Sequence, residues 1–366
     1  MLHVIHSWYQ RNFSDPQAVI LVILLAAGFS VVLLFGDILA PALVALILAY
    51  LLEGVVGHLE RLRLPRLLAV SVVLLGFIFL AVVVLLGLVP VLSRQVAQLV
   101  QDIPSMVSKG QQALLRLPEM YPTLFSQDQM REIIAAAHSE IADLGKAVLS
   151  ISLAQAGSVF AFFIYLILVP LLVFFMLKDK DRMLAWAQHF LPRRRELSFR
   201  VWVEVDDKIG NYIRGKVLEI MIVWVVTYIT FAVMGLNFSL LLSFLVGLSV
   251  IVPYIGAIAV TLPIALIGYF QWGFAPEFWW LLLAYQIIQI LDGNVLVPVL
   301  FSEVVNLHPV AIIVAVLFFG GLWGMWGIFL AIPLATLVQA ILNSWPRVQA
   351  PQEAGDSTAE RLVSPC

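Results

Sequence analysis

The chain has 366 residues, of which 62% are hydrophobic and only 12% are charged. A soluble domain is roughly 45–50% apolar and about 25% charged, so the excess apolar surface must face lipid, which excludes a soluble globular fold. The formal net charge of −2 does not favour a nucleic-acid partner, and the single cysteine, Cys366, excludes a disulfide framework.

Apolar segments long enough to span a bilayer recur along the chain. A spanning helix needs about 20 mostly apolar residues. The first half contains such segments at residues 17–35, 38–52, 67–92 and 153–177, with a tight turn predicted at Gly36-Asp37 between the first two. No Asp, Glu, Lys or Arg occurs from Ile220 to Pro276, which requires at least two membrane segments. We predict an all-α polytopic transmembrane bundle of about seven or eight segments, some broken or re-entrant.

Polar residues divide the chain into six predicted regions. These are N-terminal transmembrane helices at 1–92, an extracytoplasmic amphipathic helical region at 93–150, a transmembrane helix at 151–177, a basic cytoplasmic loop at 178–215, a transmembrane core with broken helices at 216–346 and a disordered tail at 347–366. Residues 178–216 hold ten of the 21 Lys and Arg residues. The positive-inside rule therefore places this stretch and the N-terminus in the cytoplasm of a bacterial-type inner membrane.

Motifs of ATP-driven pumps and of common hydrolases are missing from the sequence. It contains no GxxxxGK[ST], no HExxH and no GxSxG, and its histidines do not have metal-ligand spacing. We therefore predict a protein that is not an enzyme, with no catalytic residues, no metal site and no cofactor.

Glycine and proline interrupt two apolar segments of the C-terminal half. The interrupting region of the first contains Pro253, Tyr254, Gly256 and Pro263, and that of the second contains Gly320, Gly324, Gly327 and Pro333. Broken helices at membrane depth persist only inside protein or beside a water-filled cavity. Paired interruptions of this kind predict the binding site of a transporter. The alternative is that the glycines only permit close helix packing.

Asp292 is the most informative polar residue in the apolar segments. A carboxylate inside the bilayer costs about 2.5–3.5 kcal/mol on insertion scales, so such groups usually face a bundle interior or a water-filled path. Gln286 and Gln289 precede it on a related helix face. We predict that Asp292 and Asn294 contact the substrate or a coupled ion. The alternative is that Asp292 lies at the membrane interface or bonds a free backbone group at the break around Gly293.

Further candidates flank these segments. Pro298 and His308 are candidates for the substrate or ion pathway, although His308 also fits a solvated loop. Arg214, Lys216 and Glu219 lie where an apolar helix enters the membrane. Glu219 is spaced to pair with Lys216 at i,i+3, whereas the alternative is that these groups anchor the helix at the lipid headgroups.

Several ordered motifs resemble those of one transporter family. They are Asn211-Tyr212-Ile213-Arg214-Gly215-Lys216, Pro253-Tyr254-Ile255-Gly256, Gly293-Asn294-Val295-Leu296-Val297-Pro298, Leu307-His308-Pro309 and Pro333-Leu334-Ala335. This series resembles the AI-2E (autoinducer-2 exporter-like) transporter family, and the N-terminal half is similar to its PerM-type permeases. Ala257 stands where many members have proline.

The resemblance implies a secondary transporter or exporter of the cytoplasmic membrane, with a small-molecule or ion substrate and membrane lipid around it. It also implies a homo-oligomer, with a pentamer as the suggested form. The favoured function is therefore ATP-independent export of a small solute, with ion coupling as an option. The alternative is a membrane scaffold or regulatory protein that organises envelope or cell-division factors through its extracytoplasmic region.

Overall fold

The computed structural model describes residues 16–120, 158–189, 196–301 and 308–344, and within these ranges the secondary structure is helical, without strands. In chain order the helices are α1 (Pro16–Arg61), α2 (Arg66–Met120), α3 (Ser158–Lys178), α4 (Lys180–Gln188), α5 (Glu196–Val233), α6 (Ser239–Ser249), α7 (Ile255–Trp272), α8 (Pro276–Leu291), α9 (Val297–Phe301) and α10 (Pro309–Ser344). A π-helical turn (Asp292–Leu296) joins α8 to α9.

The predicted all-α membrane bundle is confirmed. Six helices of the described ranges are long and apolar enough to cross a membrane. Their outward faces carry many exposed leucine, valine, isoleucine and phenylalanine side chains, which is the composition of a surface in contact with lipid.

The first three helices pack around a core of small and branched side chains. Ala45, Val56, Val70 and Val173 are all buried in this cluster. Arg66, at the start of α2, links the ends of these helices. Its guanidinium donates to the Leu177 carbonyl oxygen and pairs with the carboxylates of Glu53 and Glu60, each at 3.2 Å. These bonds satisfy backbone and side-chain groups at the helix ends.

Helix α5 is the centre of the C-terminal half. It contacts α1, α6, α8, α9, α10 and the π-helical turn. Near its C-terminal end Val223 and Phe231 are buried against Leu242 and Ile264, which belong to α6 and α7. Earlier along the same helix Tyr212 and Ile213 form a second buried cluster with Phe301 and Ile332. The helix therefore joins two regions of the C-terminal core.

Helices α6 and α7 form a helical hairpin, which we call the first hairpin. The turn between them contains Tyr254 in a left-handed backbone conformation with φ of 63°. A Cβ atom on Gly256 would overlap the carbonyl oxygen of Ser249, so only glycine fits where the two arms meet. The Tyr285 hydroxyl donates to the Ala257 carbonyl oxygen at 2.7 Å, which satisfies backbone near this break.

Helix α10 also reverses direction, at Gly324, and we call it the second hairpin. Gly324 has φ of 59° and ψ of −134°, which is outside the helical range. A Cβ atom on Gly327 would overlap the Phe319 carbonyl oxygen. Because eight residues of straight helix span about 12 Å, this contact requires the chain to fold back on itself. The two glycine-interrupted segments of the sequence thus form structures of the same kind.

The tight turn predicted at Gly36-Asp37 lies one residue from a kink at Phe35, where two helical segments meet within α1. Two other predicted boundaries differ from the helix limits. Helix α2 crosses the predicted boundary at 92/93 without a break, because the amphipathic spacing after Leu92 continues the helical period. Helix α5 likewise crosses the boundary at 215/216. The rest of the predicted external region after residue 120 and the tail at 347–366 lie outside the described residues.

We expect Gly327→Ala to lower the melting temperature of the purified protein in detergent, because the added methyl group meets the Phe319 carbonyl. Overpacking of this kind costs about 1–3 kcal/mol. Gly321→Ala is the matched control, since no atom lies within 4 Å of a Cβ at that position. Equal melting temperatures for the two variants would contradict the reversal of α10.

Candidate functional site

A cavity of about 410 Å³ lies where α5, the first hairpin and the π-helical turn meet. Its polar lining consists of Tyr212, Lys216, Glu219, Ser249, Tyr254, Gln289 and Asp292. Its apolar lining includes Val250, Val252, Ile258, Val297, Phe301, Ile312 and Ile332. The volume is within the range of about 300–1,000 Å³ that small-molecule sites occupy.

Helix α5 contributes a buried ion pair to this cavity. Tyr212, Lys216 and Glu219 recur at four- and three-residue steps, so they share one face of the helix. The Lys216 ammonium donates to Glu219 Oε2 at 2.8 Å, and the two side chains are only 5% and 2% exposed. The ammonium also lies 5.6 Å from the centre of the Phe301 ring. Burial of this degree separates both charges from lipid headgroups, so their partners are each other and the cavity.

The π-helical turn contributes Asp292. A π-helical turn interrupts the regular α-helical hydrogen bonds and turns side chains to a new direction, and such turns are frequent at functional sites. Asp292 Oδ1 and Gln289 Nε2 are both buried, and neither has a hydrogen-bond partner among the described residues. The Asp292 carboxylate is within electrostatic range of Lys216 and Glu219. A donor and an acceptor therefore stand unpaired beside a neutral ion pair.

The turn of the first hairpin forms another wall of the cavity. Pro253 and Tyr254 both line it. The positive φ of Tyr254 is uncommon for a residue with a side chain, and such strain is typically found at functional sites. The Tyr254 side chain is 56% exposed, so it lies at the edge of the cavity rather than within the core.

The structure brings five of the predicted site residues together at this cavity: Pro253, Tyr254, Lys216, Glu219 and Asp292. Three other candidates for the pathway lie outside its lining. Asn294 is exposed and donates to the Ile290 carbonyl oxygen one turn earlier in the helix at 2.9 Å. Pro298 is exposed on α9. His308 is exposed, and its Nδ1 accepts from the Val310 N–H at 3.3 Å at the start of α10.

The remaining candidates have positions in the hairpins or between helices. Gly256 lies where the arms of the first hairpin meet, and Gly320, Gly324 and Gly327 lie at the reversal of the second. Pro263 and Pro333 lie inside helical arms that follow these reversals. Arg214 points away from the cavity, where it packs on Gly54 and donates to Asn211 Oδ1 at 2.8 Å.

Three residues that line the cavity were not predicted as site residues from the sequence: Tyr212, Ser249 and Phe301. The spacing of Tyr212 to Lys216 and Glu219 was the available signal for the first, because it places the three on one face of α5. Ser249 and Phe301 had no such signal, since each reaches the cavity through packing between helices that are distant in sequence.

Comparison with known proteins identifies the family. The family model described as "AI-2E family transporter" matches residues 19–347. The chain belongs to the AI-2E transporter family. A protein of Escherichia coli (strain K12) named "Putative permease PerM" is 46% identical over 353 residues, which cover 96% of this chain and 100% of that protein. The cavity and the two hairpins are therefore features of a multi-pass membrane transporter.

More distant relatives carry transport names as well. A Bacillus subtilis protein named "Putative transport protein YueF" is 28% identical over 306 residues, covering 82% of each chain. The "AI-2 transport protein TqsA" of Escherichia coli (strain K12) is 26% identical over 348 residues, covering 93% of this chain and 95% of that protein. The similarity to these relatives thus covers most of this chain.

We expect Lys216→Met to destabilise this AI-2E family transporter strongly, because the Glu219 carboxylate would remain buried without its partner. Breaking a buried pair in this way costs about 3–5 kcal/mol. The double variant Lys216→Met/Glu219→Met should regain most of that loss, as measured by melting temperature in detergent. A double variant that is less stable than Lys216→Met would contradict the coupling.

Lys180→Met serves as the control for the loss of a lysine. It removes the ion pair in which Lys180 Nζ lies 3.1 Å from Glu53 Oε1. The Lys180 and Glu53 side chains are 36% and 23% exposed. Ion pairs with this exposure contribute at most about 1 kcal/mol, and Glu53 keeps its pairing with Arg66. Its effect should therefore be small.

Proposed function

We propose that the protein is an ATP-independent secondary transporter of the bacterial inner membrane that exports a small solute through the cavity between α5, the first hairpin and the π-helical turn. The observation that carries this proposal is the meeting of a buried ion pair, the unpaired Asp292 carboxylate and a strained hairpin turn in one cavity. Discontinuous helices beside a central cavity are the usual architecture of secondary transporters.

The first hairpin is the moving part in this proposal. Its turn forms one wall of the cavity, and its first arm, α6, packs on α5 through apolar side chains. Apolar packing has little directional preference, so a hairpin can shift against α5 without breaking a charged contact. Movement of Pro253 and Tyr254 away from Asp292 would open the cavity, and their return would close it.

The membrane orientation and the assembly belong to the same proposal. Ten of the 21 Lys and Arg residues lie in residues 178–216, which favours a cytoplasmic position for that stretch and for the N-terminus. The family resemblance supports a homo-oligomer, for which the pentamer is the form to test. Lipid surrounds the exposed apolar faces of the helices.

The first test is ion-coupled flux through the purified protein in liposomes that contain a pH-sensitive dye. Na⁺, K⁺ and proton gradients are imposed in turn, and the wild type is compared with Asp292→Asn. We expect a gradient-dependent flux that falls at least about tenfold in Asp292→Asn, because the variant removes the unpaired charge of the cavity. Asp207→Asn is the matched control, since Asp207 is exposed on α5 and does not line the cavity.

The second candidate function is a membrane scaffold acting through the extracytoplasmic region. One observation favours it: α2 continues to Met120, well beyond the length that a bilayer requires. Deletion of residues 121–143 leaves α2 complete. If the protein is a transporter, the deletion should retain flux in liposomes and Asp292→Asn should not. If the deletion abolishes the cellular phenotype of the wild type while Asp292→Asn is silent there, the scaffold is the function.

A further inference from the structure

The charges that line the cavity do not balance. Its lining contains one cationic side chain, Lys216, and two carboxylates, Glu219 and Asp292. Lys216 is bound to Glu219 at 2.8 Å, so that pair is internally neutral. The Asp292 carboxylate is then the group without a counter-ion, and an ionised carboxylate in a poorly solvated site is unfavourable by several kcal/mol unless a positive charge approaches it.

The neighbouring polar groups point to a ligand as the missing partner. Asp292 Oδ1 and Gln289 Nε2 are buried without hydrogen-bond partners among the described residues, and both residues line the cavity. They are three residues apart in sequence across the end of α8, and both residues belong to the lining of the same cavity. Buried polar atoms are normally paired, and two unpaired atoms on residues that line one cavity indicate a place that a ligand completes.

The size and the apolar walls of the cavity favour an organic ligand over a bare metal ion. A volume of about 410 Å³ is far larger than one ion requires. Within the described residues no three His, Cys, Asp or Glu side chains are grouped to hold a metal. Most of the wall is apolar, with Val250, Ile312 and Ile332 among its members. A ligand that fills this space needs a sizeable apolar body.

The aromatic side chains suit a cationic head. The Phe301 ring already lies 5.6 Å from the Lys216 ammonium, which shows that this part of the cavity accommodates a positive charge over a ring. The Tyr254 ring stands at the edge of the same cavity and is 56% exposed. A cation that enters past Tyr254 would meet an aromatic ring first and the Asp292 carboxylate next.

We propose that the cavity binds a small amphipathic organic cation, whose positive head pairs with Asp292 beside Gln289 and whose apolar body contacts the valine and isoleucine walls. That the protein carries such a cation across the membrane rests on the proposed transport function. The binding itself depends on the cavity alone. Lys216 stays paired with Glu219, so it does not compete with the ligand for Asp292.

The test uses benzyltrimethylammonium and its uncharged carbon isostere, neopentylbenzene, as probes on the purified full-length protein in lipid nanodiscs. Binding is measured from the concentration dependence of the melting temperature. We expect the cation to bind at least about tenfold more tightly than the isostere, because only the cation supplies the missing charge. This comparison needs no variant, and equal binding of the two probes would overturn the proposal.

Two variants of the cavity and one control variant test where the cation binds. Asp292→Asn should reduce benzyltrimethylammonium affinity at least about tenfold, whereas Asp207→Asn should leave it unchanged. Glu219→Gln should also reduce the affinity for benzyltrimethylammonium, because Lys216 then loses its partner. Lys216 is within electrostatic range of Asp292 and would compete with the ligand for that carboxylate. Unchanged affinity in Asp292→Asn with wild-type stability would place the cation elsewhere and refute the site.

The two proposals fail in different ways. Selective, Asp292-dependent binding of benzyltrimethylammonium without any flux in liposomes supports the ligand class and refutes transport. Gradient-driven flux that depends on Asp292, combined with equal binding of the cation and the isostere, supports transport and refutes the ligand class. In that second case Asp292 would bind a proton or a coupled ion instead of an organic cation.

Discussion

The buried ion pair between Lys216 and Glu219 is the interaction on which the C-terminal half depends. Two charges removed from water require each other, and they also require protein rather than lipid on every side. Helix α5 meets this demand because α1, α6, α8, α9 and α10 all contact it. Beyond the pair the same helix becomes apolar, and Val223 and Phe231, one and about three turns further along, belong to a buried apolar core. The polar cavity and the apolar core are thus built on one continuous helix, and the position of the pair along α5 fixes where the cavity lies.

The two hairpins solve the same backbone problem but have different surroundings. A reversal inside a membrane needs close approach of its two arms, and Gly256 and Gly327 both permit it where a side chain would meet a carbonyl oxygen. The turn of the first hairpin faces the polar cavity. The second hairpin packs its Phe319 and Trp323 rings against Phe29 of α1. The repeated structure therefore has unequal roles, since only the first reversal lines the space that holds the charges, while the second is tied to the N-terminal half by aromatic contacts.

Composition and the spacing of glycine and proline predict much of this fold, because lipid leaves helices as the available structure and interruptions need a protein environment. The residues of the site are harder to predict. Arg214, Lys216 and Glu219 look alike in the sequence as charges at the start of an apolar segment, yet Arg214 packs on Gly54 and the other two face the cavity. Their direction around α5 separates them, and that direction has meaning only when the neighbouring helices are known. The break predicted at Gly36-Asp37 needed no such knowledge, and the kink of α1 at Phe35 lies beside it.

Several unfavourable features of the structure meet at one cavity. Tyr254 has a positive φ, the Asp292 and Gln289 side chains each have a buried atom without a partner, and a π-helical turn interrupts the helix between α8 and α9. Around Arg66, by contrast, two carboxylates and a backbone carbonyl are satisfied by one guanidinium. Apolar residues at the positions of Asp292 and Gln289 would pack more stably. Strain and unpaired groups that meet in the lining of one cavity are the features that the proposed ligand would relieve.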